Sequence, residues 1–209
     1  MPRRKQVPDV DVLDAALDVL HARGPQALTF AALAEASSLA PATLVQRFGG
    51  KADLLRRALL HAWDRLDHRT DSLGAGVERT PDGAVAFLVG LSEQYVGIDS
   101  YADALLVLRE DLLDPEVRRR GAAWRASLTG VLDACLAGTP GVPPDAGAVL
   151  ATYWQGTLLW WSFDPGDPVA EHVERELTRF VRTVLTPSPG SGTRARPDPP
   201  GRPGSRTSS

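Results

Sequence analysis

An all-α fold is predicted by three features of the chain. Apolar residues recur at helical spacing along most of its length, Thr-Pro and Asp-Pro pairs repeatedly open those stretches, and no alternating Val/Ile/Thr-rich run competes with them. The 209 residues are 43% apolar and 23% charged, which suits one to two globular domains with a buried core and excludes a wholly disordered chain.

In chain order, the first helix starts at Asp9, sets Val10, Leu13, Leu17 and Leu20 on one face and stops at Gly24. Thr29 is the N-cap of a short second helix with Phe30, Leu33 and Ala34 inside, interrupted by Ser37-Ser38. Pro41 opens a third, since a missing N–H costs nothing in a first turn, and Leu44 and Phe48 point inward until Gly49-Gly50. A long fourth helix runs from Lys51 through Leu54, Ala58, Leu59, Ala62, Trp63 and Leu66 to a soft break near Gly74 and Gly76. Thr80-Pro81-Asp82 opens the next, carrying Val85, Phe87, Leu88, Leu91 and Tyr95, and helix continues from Tyr101 to Leu113. Asp114-Pro115-Glu116 begins a segment that buries Val117, Trp124, Leu128, Val131, Leu132 and Cys135 and ends at Gly138; Pro143-Pro144-Asp145 and Asp167-Pro168 open the last two. The total is about nine helices. Four regions follow: a flexible basic arm over 1–8, a helix-turn-helix domain over 9–56, a helical regulatory and dimerisation domain over 57–186, and a disordered Pro/Gly/Ser-rich tail over 187–209.

Charge is unevenly spread. Residues 1–60 carry eight Lys/Arg against six Asp/Glu, whereas residues 61–185 carry eleven against nineteen. A locally basic N-terminal module on an acidic body binds phosphates at one surface without coating nucleic acid indiscriminately. The lone cysteine, Cys135, closes no intramolecular disulfide, and no apolar segment follows the basic N-terminus as an export signal would require, so a cytoplasmic location is expected. The uncharged run from Ala146 to Phe163 is 18 residues long but holds Thr152, Gln155, Gly156 and Thr157 and lacks flanking Lys/Arg clusters, so no membrane span is expected.

The most informative stretch is Leu28 to Leu55, LTFAALAEASSLAPATLVQRFGGKADLL. Two short helices, a tight turn between them, a small Ala34 where they cross, and inward Leu33, Leu39 and Leu44 form a helix-turn-helix. Ala42, Thr43, Val45, Gln46 and Arg47 then face outward, towards a major groove. With Gly24, the Thr29 cap, Leu33-Ala34, Thr43-Leu44, Phe48 and Lys51 in this order, residues 9–60 resemble the N-terminal domain of the tetracycline-repressor (TetR) family of bacterial transcriptional regulators. The resemblance implies a homodimeric repressor that binds double-stranded DNA at a palindromic operator and releases it when a small-molecule effector enters the C-terminal domain. The chain departs from the family pattern in the turn, where Ser38 stands for Gly, and in the recognition helix, where Ala40 replaces the common Ser cap and Val45 replaces Tyr.

Within this reading Thr29 presents a helix N-terminus to a phosphate and Lys51 sits in a first helical turn, where a DNA phosphate offsets its opposition to the helix dipole. Gln46 suits adenine N6/N7, Arg47 guanine or phosphate, and Thr43 a phosphate or thymine methyl. The uncharged helix is apolar nearly all round, with one stripe of Gly147, Ala151, Trp154, Leu158 and Trp161 and another of Val149, Tyr153, Gly156 and Trp160, so one face needs a partner. Paired with the last helix, it gives a dimer interface expected at Ala151, Leu158, Trp161, Val173, Leu177, Phe180 and Val184. A ligand pocket is expected among Trp63, Phe87, Tyr95, Tyr101, Arg109, Trp124 and Trp154.

No catalytic residue, metal or cofactor is expected. His61, Asp64 and His68 share a helix face but have loose spacing for a metal, and no phosphate loop or nucleophile elbow occurs. The alternative reading is a helical protein-interaction module whose helix-turn-helix no longer binds DNA. Salt dependence separates the two, because only phosphate binding weakens steeply as salt rises.

Overall fold

The computed structural model describes residues 7–185, so most of the basic arm and the whole expected tail lie outside the described residues. Nine α-helices follow one another among these residues: α1 (Asp9–Arg23), α2 (Phe30–Ser37), α3 (Pro41–Phe48), α4 (Lys51–Gly76), α5 (Pro81–Ser92), α6 (Ile98–Leu113), α7 (Pro115–Leu136), α8 (Ala146–Trp161) and α9 (Val169–Phe180). A 3₁₀ turn at Pro25–Ala27 and a π-helical turn at Val181–Leu185 complete the described chain.

The helix starts follow local chemistry. Thr29 and Thr80 each accept a hydrogen bond from the backbone N–H three residues on, at 3.1 Å, and Asp114 accepts from Glu116 N and Val117 N at 2.8 and 3.3 Å. Each cap satisfies an N–H that has no partner inside the helix. Gly24, at φ 76°, ends α1 and lets the chain turn back under α2.

Two apolar cores result. One gathers α1 to the first half of α4 around Leu17, Leu20, Leu33, Leu44, Phe48 and Leu54, and is closed by Val107 of α6 and Val117 of α7. The other gathers α5 to α9 around Phe87, Leu91, Leu128, Leu132, Leu150 and Leu177. Trp63 packs against both, so α4 is the shared spine.

Three local readings change. Val10 is exposed rather than inward, because the buried face of α1 runs through Val12, Leu13, Ala16, Leu17 and Leu20. Tyr95 lies in the loop after α5, and α7 closes at Leu136, two residues before Gly138. Among the described residues no helix is long and apolar enough to cross a membrane.

Candidate functional site

The α2–α3 turn depends on one backbone conformation. Ser38 has φ 58° and ψ 25°, the left-handed region, and is the one non-glycine residue with positive φ among the described residues. A side chain there costs about 1 kcal/mol or more, a cost glycine avoids. Ser38→Gly is therefore expected to stabilise the chain by somewhat under about 1 kcal/mol, because glycine's extra freedom when unfolded offsets part of the gain. Thermal unfolding that shifts upward by a few degrees fits this; a downward shift contradicts the assignment of strain.

On α3, Leu44 and Phe48 are buried while Ala42, Val45 and Gln46 are exposed and Thr43 is half-buried. Val45 leaves 48% of its surface in solvent, an apolar patch in the middle of the outward face. Thr29 and Lys51 are exposed as well, at the N-termini of α2 and α4, and Lys51 Nζ donates to Gln26 O at 3.2 Å. The outward surface thus joins two helix starts and the α3 face.

Arg47 is the exception among the residues expected to face a groove. Its guanidinium turns back to the Asp9 carboxylate, with Nε donating at 2.8 Å, and to Val7 O at 2.9 Å. Arg57 closes the same cluster, donating to Asp9 Oδ2 at 2.8 Å and Arg47 O at 3.0 Å while its guanidinium lies 4.5 Å from the Phe48 ring centroid. These contacts clamp the end of α3 to the starts of α1 and α4 and fix the direction of the outward face.

Further along α4, His61 and Arg65 each donate to Asp14 at 2.9 Å, and Arg56 bridges to Asp114 at 2.7 Å. His61 and Asp64 therefore turn to different neighbours, Asp14 and Arg120, and His68 is exposed. Among the described residues no group of three His, Cys, Asp or Glu side chains is gathered to hold a metal ion.

Arg47 lowers the pKa of Asp9, the His61 hydrogen bond lowers that of Asp14, and Arg56 lowers that of Asp114; burial opposes each shift. The sign is fixed by linkage: a carboxyl depressed in the folded state contributes stability above its unfolded value near 4 and loses it as pH falls through the folded pKa. In thermal unfolding the stability contributed by these three carboxylates is expected to hold from pH 7 to about 5 and to be lost below about 4, whereas Asp111, raised to about 6 by burial, adds stability as pH falls from 7 towards 5. Asp9→Asn should flatten part of that loss and cost about 1 kcal/mol or less at neutral pH, since the pair is partly solvated.

A second feature lies behind the interface. A cavity of about 480 Å3 opens between α1, α4, α6, α7 and α8, and five of the expected pocket residues line it: Trp63, Tyr95, Tyr101, Trp124 and Trp154. Phe87 and Arg109 stay apart. Phe87 is fully buried in the α5–α9 core, and the Arg109 side chain is 69% exposed and pairs with Glu110 at 2.7 Å. The rings are held by polar edges and by one another: Trp124 Nε1 donates to Thr70 Oγ1 and Trp154 Nε1 to Ser92 Oγ, both at 2.9 Å, and Tyr95 meets Tyr101 edge-on with centroids 5.1 Å apart. Asp111, which sequence reasoning passed over, also lines the cavity; burial pushes its pKa up to about 6, against a lowering by the Trp63 indole. Its place in the run Arg109-Glu110-Asp111 reads as solvated helix surface, and only the packing of α6 distinguishes it.

The expected dimer surface needs the largest correction. Ala151, Leu158, Trp161, Val173 and Leu177 are buried within the chain's own α5–α9 core, because α8 packs along α7 and α9 along α5. The other stripe of α8 is the one left open. Trp160 is 72% and Phe163 75% exposed, and Val149 and Val184 are exposed beside the stacked Tyr153–Phe180 pair, whose centroids are 4.1 Å apart.

Comparison with known proteins places these features. Residues 12–58, α1 to the first turns of α4, match the model of the tetR family of bacterial regulatory proteins. The N-terminal domain is a TetR-family domain. Solved structures share the fold across most of this chain. A Saccharomonospora viridis protein, described as a transcriptional regulator and solved in complex with choline, has 18% identity and a TM-score of 0.69, covering 85% of this chain and 97% of its own. The fatty acid degradation regulator FadR of Bacillus halodurans has 17% identity and a TM-score of 0.64, covering 92% and 100%. The multidrug binding protein EbrR, complexed with proflavin, has 20% identity and a TM-score of 0.56, covering 81% and 96%. At these identities the likeness is one of fold. No curated protein matches the chain.

Proposed function

We propose that the chain is a homodimeric, ligand-responsive DNA-binding transcriptional regulator, a cytoplasmic repressor released from a palindromic operator by a small-molecule effector. The observation that carries this reading is the exposed α3 face of Ala42, Val45 and Gln46, flanked by the exposed starts of α2 and α4 at Thr29 and Lys51 and held in direction by the Asp9–Arg47–Arg57 clamp. Gln46 reads a base edge, Thr43 and Lys51 meet the backbone, Val45 meets a thymine methyl, and Arg47 positions the helix rather than reading a base. In this division residues 9–56 bind DNA and residues 57–186 hold the ligand and the second subunit.

Dimerisation uses the open stripe of α8 with the exposed edge of α9, and brings two copies of α3 about 34–36 Å apart, one turn of DNA. The ligand enters the aromatic cavity. Support comes from the proteins of this fold solved with choline and with proflavin. It comes also from α6, which lines the cavity with Tyr101, Asp103 and Asp111 and sends Val107 into the N-terminal core. A ligand that displaces α6 thereby shifts α1 and the recognition helices, and it needs to prefer the released state by only a few kcal/mol.

Selection of bound duplexes from a random pool tests the reading. The native protein is expected to enrich an inverted repeat; Gln46→Ala changes the preferred base within each half-site, at a cost of about 1–3 kcal/mol, and Lys51→Ala weakens all sequences alike. A folded dimer that enriches nothing at low salt contradicts it and leaves the protein-interaction reading in its place.

A further inference from the structure

The cavity has an electrostatic character that its aromatic lining alone does not explain. Two carboxylates, Asp103 and Asp111, line it, and no Lys or Arg side chain does among the described residues. Guanidinium groups on α6 and α7 are used elsewhere: Arg109 pairs with Glu110, and Arg120 with Asp64 and Asp67. Asp111 Oδ1 is buried and has no hydrogen-bond partner. A buried carboxylate oxygen without a donor is costly unless something supplies the missing charge. Around it the indoles of Trp124 and Trp154 spend their N–H groups on Thr70 and Ser92, so their rings offer the cavity apolar and π surface. Leu105 and Leu108, both exposed on α6, also line the cavity, which adds apolar surface beside the charge.

We infer that the cavity takes an organic monocation with an apolar or aromatic body, such as a quaternary ammonium, whose charge is held by Asp111 and whose body lies against Trp63, Tyr101 and Trp124. A neutral apolar ligand fills the volume but leaves the Asp111 carboxylate without a countercharge. An anion meets two carboxylates against the single imidazole of His21 and no Lys or Arg. A desolvated ammonium gains from both the carboxylate and the aromatic faces, a combination water does not offer.

This inference rests on the ligand-responsive reading and is tested without DNA. The full chain at pH 7.5 is titrated with phenyltrimethylammonium and with tert-butylbenzene, its uncharged carbon isostere, following the fluorescence of the cavity tryptophans. The cation is expected to bind at least about tenfold more tightly than the isostere. Asp111→Asn, which keeps the shape and removes the charge, is expected to erase that difference by weakening the cation alone. Equal binding of the two probes, tighter binding of the isostere, no saturation by the cation at millimolar concentration, or unchanged cation affinity in a folded Asp111→Asn each overturns the inference. Should Asp111→Asn fail to fold, the two probes on the native chain still decide. The duplex selection reports on the regulator reading separately: an enriched inverted repeat with no cation binding removes only the ligand class, and Asp111-dependent cation binding with no duplex enriched removes only the regulator.

Discussion

Trp160→Glu is expected to give a folded monomer that no longer holds an inverted-repeat duplex. Trp160 at the end of α8 and Phe163 just after it have ring centroids 5.8 Å apart and are 72% and 75% exposed, and Val149 of α8 and Val184 of the π-helical turn after α9 are exposed as well. Exposed large apolar side chains gathered in this way mark an interaction site. Burying an aromatic side chain of this size against a second copy contributes about 2–3 kcal/mol, and a glutamate in its place leaves a charge to desolvate at several kcal/mol. The dimer contains each residue twice, so both terms count twice. The single chain loses little, since Trp160 contributes nothing to either buried core. With one recognition helix per particle, affinity for the repeat falls by about 10²–10⁴-fold, the loss of an intramolecular second contact. Sedimentation velocity and fluorescence anisotropy measure the two effects; a variant that stays dimeric at micromolar concentration removes this surface from the interface.

Gly83→Ala is expected to destabilise the chain by about 3 kcal/mol or more, lowering the melting temperature by about 6–12 °C. A Cβ built on Gly83 falls 2.0 Å from Glu78 O and 2.9 Å from Glu78 C, where no side-chain rotation gives relief. The chain crosses there because Thr80 caps α5 through the Gly83 N–H, which folds residues 78–80 over the first helical turn. Gly130→Ala is the control. It lies inside α7 with nothing within 4 Å of a built Cβ, and helix propensity alone predicts a gain of about 1 kcal/mol. Opposite signs for the two alanines in thermal denaturation support close backbone contact at Gly83. A neutral Gly83→Ala contradicts it.

Much of this architecture is legible in the chain because its helix boundaries are written in local chemistry. Thr29, Thr80 and Asp114 cap helices through their own side chains, and Gly24 and Ser38 take the left-handed or positive-φ conformations that end them. Facing is less legible. Both stripes of α8 are apolar, so periodicity identifies two buried surfaces without saying which belongs to the chain's own core. Adjacent residues decide it: Trp161 is 3% exposed and Trp160 72%. The same limit applies to charge. Arg47 reads as an outward base reader, yet Asp9, 38 positions earlier, captures it. Asp111 reads as solvent-facing, yet its carboxyl lines the cavity. Long-range partners fix such side chains, and no local window contains both members of the pair.

The account turns on two copies of α3 engaging one duplex, and stoichiometry with salt dependence on the selected inverted repeat tests that most directly. Two chains per duplex and a logarithmic affinity that falls steeply and linearly with logarithmic salt, as several phosphate contacts require, are the predicted result. One chain per duplex, or an affinity indifferent to salt, would contradict it.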